Sequence, residues 1–281
     1  MAKSTRKRRT QRTARTDRAS HGARGNVRAA KRAASGKKRK ARKASGARRH
    51  GKVRTANVTR ASRASRADAA AAEAVHWQHV RTALRDRGLL LLADARLPSV
   101  AGIVAGAPVR GSWWSHPQGR AIFAAARHLH EHPDVLACAL LDGKITFVHR
   151  RLWPALLAVA LAGEAWQTHG LSPAGRALRA QVRRRGEVDG AGAAARELER
   201  RLLVQGAEVH TASGRHRKRL RTWERWRQDA GLAAAPAVPP EHARRLLEEA
   251  AAGLGGPPAA DALPWRARGT RAAPRARTGS G

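Results

Sequence analysis

Trp113-Trp114-Ser115-His116 is the most chemically unusual string in a chain with only ten aromatic residues, eight of them Trp. An indole presented at a surface stacks on a nucleic-acid base, and His116 would supply a hydrogen-bond partner for it. The packing alternative puts one Trp in the core and the other over the start of the following helix. A second string, His128, His130, Glu131 and His132, alternates at a helix end. Although positions 128 and 132 share a helical face, no Cys or carboxylate cluster joins them. They read as polar caps near the negative end of the helix dipole, and no metal is expected. The Walker loop, HExxH, nucleophile elbow and dinucleotide fingerprint do not occur, and no cofactor is implied.

The remaining chemistry is cationic. Lys+Arg number 57 against 20 Asp+Glu in 281 residues, a formal charge of +37, which points first to a polyanionic partner. Residues 1–70 hold 25 Lys+Arg and two acids, Asp17 and Asp68, giving +23 and leaving 32 minus 18, or +14, for the other 211. Up to Asp68 there is no Leu, Ile, Phe or Trp, so residues 1–68 are expected to be a disordered basic arm. In it Lys37, Lys38, Arg39 and Lys40 form the densest phosphate-binding run. The single cysteine, Cys138, rules out a disulfide framework and fits a reducing compartment. No apolar run reaches the ~20 residues of a membrane span and no apolar stretch follows the basic start, so neither an anchor nor a secretory signal is expected. The expected location is the cytoplasm, on the nucleoid.

The elements that must position these residues are legible in part. Periodicity predicts a helix over 70–87 closed by Gly88. Residues 69–170 form a nearly neutral, helix-rich core, with a helix in which Ile122, Phe123, Ala126 and Leu129 recur at helical spacing before Pro133. Asp142-Gly143 predicts a two-residue hairpin turn, pairing Leu140 with Ile145, Cys138 with Phe147 and Leu136 with His149. The apolar run 152–162 is expected to pack on it. His149 reads as a structural histidine and Cys138 as a small buried hydrophobe.

Residues 171–230 form a further unit, with 15 Lys+Arg and 6 acids between Arg176 and Arg227. A helix opens at Ser172-Pro173 and closes at Gly186, a second spans 193–204, and a strand-like piece over 207–211 is followed by a Ser213-Gly214 turn. The basic segment after it ends in a helix whose stripe is Leu220, Trp223 and Trp226, with Lys218, Arg221 and Arg225 pointing away. The order is that of a winged helix without a clear middle helix. Arg196 and Arg200 would border the major groove, while His216, Arg217, Lys218 and Arg219, joined by Arg183, Arg184 and Arg221, would grip phosphate. Residues 231–281 read as a Pro/Ala-rich tail with one short helix over 241–251, disordered from Gly253.

The blocks LPSVAGIVAG, PVRGSWWSHP, KITFVHRRLWPALLAV, AARELERRLLV and EVHTASGRHRKRLRTWERW resemble a group of bacterial winged-helix proteins related to the AlkZ-type DNA glycosylases, over about 89–232. The resemblance implies tandem winged-helix elements with DNA as ligand. The glycosylases carry a Gln, aliphatic, Gln-or-Asp motif, and none of Gln11, Gln78, Gln118, Gln167, Gln181, Gln205 or Gln228 is followed two places later by Gln or Asp. No catalytic residue is therefore carried over. The expected protein is an α+β, helix-rich DNA-binding protein, nucleoid-associated or DNA-damage-related, that contacts duplex mainly through phosphates. The alternatives are a base-excision enzyme with a pocket at Trp113, Trp114 and His116, and an RNA-binding protein.

Overall fold

The computed structural model describes residues 50–210, 216–232 and 238–266. The run of Lys37, Lys38, Arg39 and Lys40 lies outside them, as does the expected Ser213-Gly214 turn.

Helix α1, His50–Arg87, starts well before the expected Ala70. Its early part is rich in Ala and Arg, which favour helix without needing a core to bury. Gly88, at φ 81°, ends it by donating its N–H to the Leu84 carbonyl at 2.7 Å. Strand β1, Leu89–Leu91, follows directly, then α2, Val100–Ala105, whose Ser99 N-cap accepts from Gly102. A 3-10 turn at Trp113–Ser115 leads into α3, Gly119–Glu131. Strands β2, Val135–Leu141, and β3, Lys144–His149, form the hairpin on Asp142-Gly143, both residues having positive φ as the tight turn requires. The sheet order is β1-β3-β2, all antiparallel.

The hairpin register differs from the sequence expectation by one residue. Ala139 faces Ile145, Cys138 faces Thr146, Ala137 faces Phe147 and Leu136 faces Val148, because a bulge between Ala139 and Leu141 inserts Leu140. Leu140 and Leu141 both enter the same core, which an unbroken two-residue alternation forbids. The buried Thr146 hydroxyl accepts the Leu141 N–H at 3.3 Å and so satisfies an amide beside the bulge.

Both faces of this sheet are covered. Leu90 and Phe147 pack with Val80, Leu84, Ile122 and Leu129 under α1–α3. Leu89, Leu136 and Val148 face α4, Trp153–Leu161, the expected cover, which is buried along almost its whole length. The same core includes α9, Pro240–Gly255, and α10, Pro257–Asp261, which follow the short α5, Ala165–Thr168, and the elements of the next unit. Residues 257–266 are thus not a detached tail. Proline at the start of α10 suits its first turn, and Leu263 is fully buried.

The second unit comprises α6, Pro173–Arg185, β4, Glu187–Asp189, α7, Gly192–Arg200, β5, Gln205–His210, β6, His216–Arg221, and α8, Trp223–Asp229. Its sheet has the order β4-β6-β5, repeating the first sheet's pattern of first, third, second strand. Helix α7 stops at Arg200 instead of Val204 because Leu202 takes a left-handed conformation, φ 51°, a strained turn that its fully buried side chain offsets. The basic segment containing Lys218 and Arg221 is strand, and the helix carrying Trp223 and Trp226 starts only after its Thr222 cap.

Candidate nucleic-acid interface

The basic residues expected to grip phosphate divide into two groups. Along β6 the described cations face carboxylates. Arg217 pairs with Asp189, Arg219 with Glu187 at 3.2 Å, and Arg221 with Asp229 at 3.0 Å. Lys218 donates to both oxygens of Glu199 at 3.0 Å. Antiparallel pairing of β4 with β6 places Glu187 opposite Arg221 and Asp189 opposite Arg219, so two of these carboxylates come from the neighbouring strand, while Glu199 and Asp229 come from α7 and α8. His216 opens β6, and its side chain is outside the described residues.

The helical arginines behave differently. Arg183 and Arg184, with Arg185, are exposed in the last turn of α6 and have no carboxylate within ion-pair distance among the described residues. Arg196 is likewise exposed and unpaired on α7, on the side away from buried Ala195 and Leu198. Arg200 is exposed too, but its chain covers the hairpin turn so closely that a Cβ on Gly143 would collide with it, and its Nε donates to the Arg196 carbonyl. Arg179 and Arg183 line a cleft of about 440 Å³ between α4, α6 and α8, opposite Trp223 and Glu224. Burial, and then the like charge of Arg183, lower the Arg179 pKa.

The Trp113–His116 string forms a compact turn. Trp113 is half-buried against the α1–α3 core, and its ring stacks on Trp114 with centroids 4.0 Å apart and planes at 25°. Trp114 is 64% exposed. Trp113 thus packs against the core without being fully buried, and Trp114 lies over the start of α3, as the packing alternative has it, but with most of its ring in solvent. His116 Nδ1 accepts the Gln118 N–H at 3.1 Å, so one of its two ring nitrogens is engaged in closing the turn. A residue that sequence reasoning assigned to the core joins this surface: Phe123 is 41% exposed, with its ring 5.5 Å from Trp114. The buried stripe of α3 is Ile122, Ala125, Ala126 and Leu129, and Phe123 lies outside it. The spacing of Arg120, Phe123 and Arg127 at i, i+3 and i+7 carried the signal for an outward face.

The alternating histidines have separate partners. His128 Nε2 lies 3.1 Å from Glu73 of α1, His132 Nδ1 accepts the Asp134 N–H, and His130 meets Phe147 edge-on at 5.1 Å. Among the described residues no group of three His, Cys, Asp or Glu side chains is placed to hold a metal ion. His149 caps the turn after β3 by accepting the Arg151 N–H, with its pKa lowered by burial and then by Arg151. Cys138 as a residue is only partly buried against the core, but desolvation of its thiol, helped by Glu199, pushes the pKa up to about 12. No described helix is long and apolar enough to cross a membrane. No family model matches the chain, and no curated protein or solved structure matches it either.

Proposed function

We propose that the chain is a nucleoid-type DNA-binding protein built on two winged-helix-like units, with phosphate contact as its main source of affinity. The observation that carries this reading is the set of exposed guanidinium groups without carboxylate partners on α6 and α7, Arg183, Arg184, Arg185 and Arg196, in a chain of net charge +37. Unneutralised arginines gathered on helices are poor contributors to stability and good ligands for phosphate oxygens.

The order of elements supports the same reading. Residues 50–149 run helix, strand, helix, helix, strand, strand, and residues 173–221 repeat this with one helix fewer; each sheet has the order first, third, second. In a winged helix of this order the helix before the hairpin is the one that approaches DNA. That helix is α3 in the first unit and α7 in the second. In the first unit the hairpin tip is occupied by Arg200 and by an Asp142 N–H bond to the Ala262 carbonyl, so the helices, not that wing, are left for the ligand.

The test is the salt dependence of duplex binding by the full-length chain. Replacing Arg183, Arg184, Arg185 and Arg196 by Ala should lower the slope of log K against log salt by about 0.9 for each phosphate no longer neutralised, with the melting temperature unchanged. An unchanged slope rejects these residues as the interface. Tighter binding of duplex RNA than of duplex DNA would replace the DNA reading by an RNA one.

A further inference from the structure

We infer that Trp114 and Phe123 form a stacking platform for an unpaired base of a DNA strand, with Arg120 and Arg127 placed for the adjoining phosphates. This rests on the DNA-binding reading and adds the class of DNA that the first unit takes.

Among the described residues only four large hydrophobic side chains are exposed, and two of them, Trp114 and Phe123, lie side by side here. Trp113 backs Trp114 in a near-parallel stack and is itself packed against the core, so the outer ring rests on a fixed support. The turn is tightly bonded. Ser115 donates its N–H and hydroxyl to the Ser112 carbonyl at 3.3 and 2.9 Å, and Gly119 donates to the His116 carbonyl at 2.7 Å. A Cβ on Gly119 would lie 3.0 and 3.1 Å from the Trp114 and Trp113 carbonyl oxygens, so glycine lets α3 close against the turn. Neither indole N–H of this pair has an acceptor within hydrogen-bond distance among the described residues.

Charge identifies the occupant. Arg120 and Arg127 flank Phe123 on the outer face of α3, and exposed Arg110 precedes the turn. Arg110 and Arg120 have no ion pair among the described residues, and Arg127 has only an exposed 3.9 Å approach to Glu131. A flat aromatic surface ringed by cations complements a polyanion whose apolar parts are flat rings. In duplex DNA those rings are already stacked on one another, so the platform suits a base that has left the helix or was never paired.

The experiment compares binding of a dT oligonucleotide and of a duplex of equal length to the full-length protein, followed by tryptophan fluorescence and by anisotropy of the labelled DNA. Trp114→Ala should weaken oligo(dT) binding about 5- to 150-fold, the worth of one stacked base, while duplex affinity stays within twofold. Trp114→Phe should restore most of the loss, and a melting curve for each variant checks folding. If Trp114→Ala lowers the melting temperature, Phe123→Ser, on the same exposed surface, should reproduce the selective loss in a folded protein. Single-strand binding unaffected by both substitutions overturns the platform, as does equal loss of single-strand and duplex binding. Wild-type binding to duplex but not to oligo(dT) overturns the platform and leaves the DNA-binding reading standing, whereas no binding to either rejects both.

Discussion

The ammonium of Lys218 sits 3.0 Å from both carboxylate oxygens of Glu199, a residue only 9% exposed. The pair joins β6 to α7 and accounts for a glycine as well, since a Cβ on Gly206 would overlap the Glu199 side chain. A cation that charge patterning assigns to phosphate is here the counter-ion of a buried acid. Lys218→Ala should therefore cost about 1 to 3 kcal/mol of stability and leave the salt slope of duplex binding unchanged. Urea unfolding and a salt titration of the same variant check both halves. Retained stability with a reduced slope would return Lys218 to the DNA interface.

The two phenylalanines of the chain make a matched pair of probes. Phe147 is fully buried between β1 and α3, so Phe147→Ala should cost roughly 3 to 5 kcal/mol. Phe123→Ala, at a solvent-facing position on α3, should cost about 0.5 kcal/mol or less. Chemical denaturation of the two variants gives the comparison. Similar losses would place Phe123 in the core.

Leu263 tests whether residues 257–266 belong to the folded body. It is fully buried in the same core as α4 and α9, and Trp265 just beyond it donates to Glu248 at 2.7 Å. Leu263→Ala should lower stability by about 2 to 5 kcal/mol, read by urea unfolding. A neutral result would mean that this segment is detached in solution.

Asp94, Glu197 and Glu248 all have lowered pKa values and set the expected acid limit together, and two of them serve as probes. For Asp94, burial acts to raise the pKa, but the hydrogen bond from Lys144 and those from the Leu97 and Arg96 amides outweigh it and leave it lowered. Glu248 is lowered by its hydrogen bond to Arg266, against burial, with help from Trp265. A carboxyl whose folded pKa is depressed contributes stability above its unfolded pKa, about 4, and loses it as pH falls through the folded value. Stability should thus be flat near pH 6 to 7 and fall below about pH 4. Asp94→Asn and Glu248→Gln should flatten that fall. An unaltered acid limb in both variants would show that other groups set it.

The Cys138 thiol, pushed up to about 12, should remain protonated and inert at pH 8. Alkylation by iodoacetamide should be undetectable in the folded protein and rapid in urea. Fast labelling of the native state would show that β2 opens to solvent.

Local signals determined the element ends. Gly88, Ser172, Gly186 and the Asp142-Gly143 turn act through neighbours a few residues away, and each of these boundaries follows from residue type alone. The charge of +37 and the outward position of Arg196 are also properties of composition and helical period. Tertiary structure decided what local patterns cannot carry. The short strands β1 and β4 exist because β3 and β6 pair with them, not because three residues specify a strand. The bulge at Leu140 arises because two successive leucines enter one core. Helix α9 and Leu263 are drawn into the fold by a sheet face that lies far earlier in the chain, at Leu89–Leu91, Val135–Leu141 and Lys144–His149, a contact that no window of sequence contains. The site divides in the same way. Exposure of Trp114 beside Phe123, and the pairing of the β6 cations with carboxylates, depend on which surfaces meet, because burial and ion pairing are settled between elements and not within them.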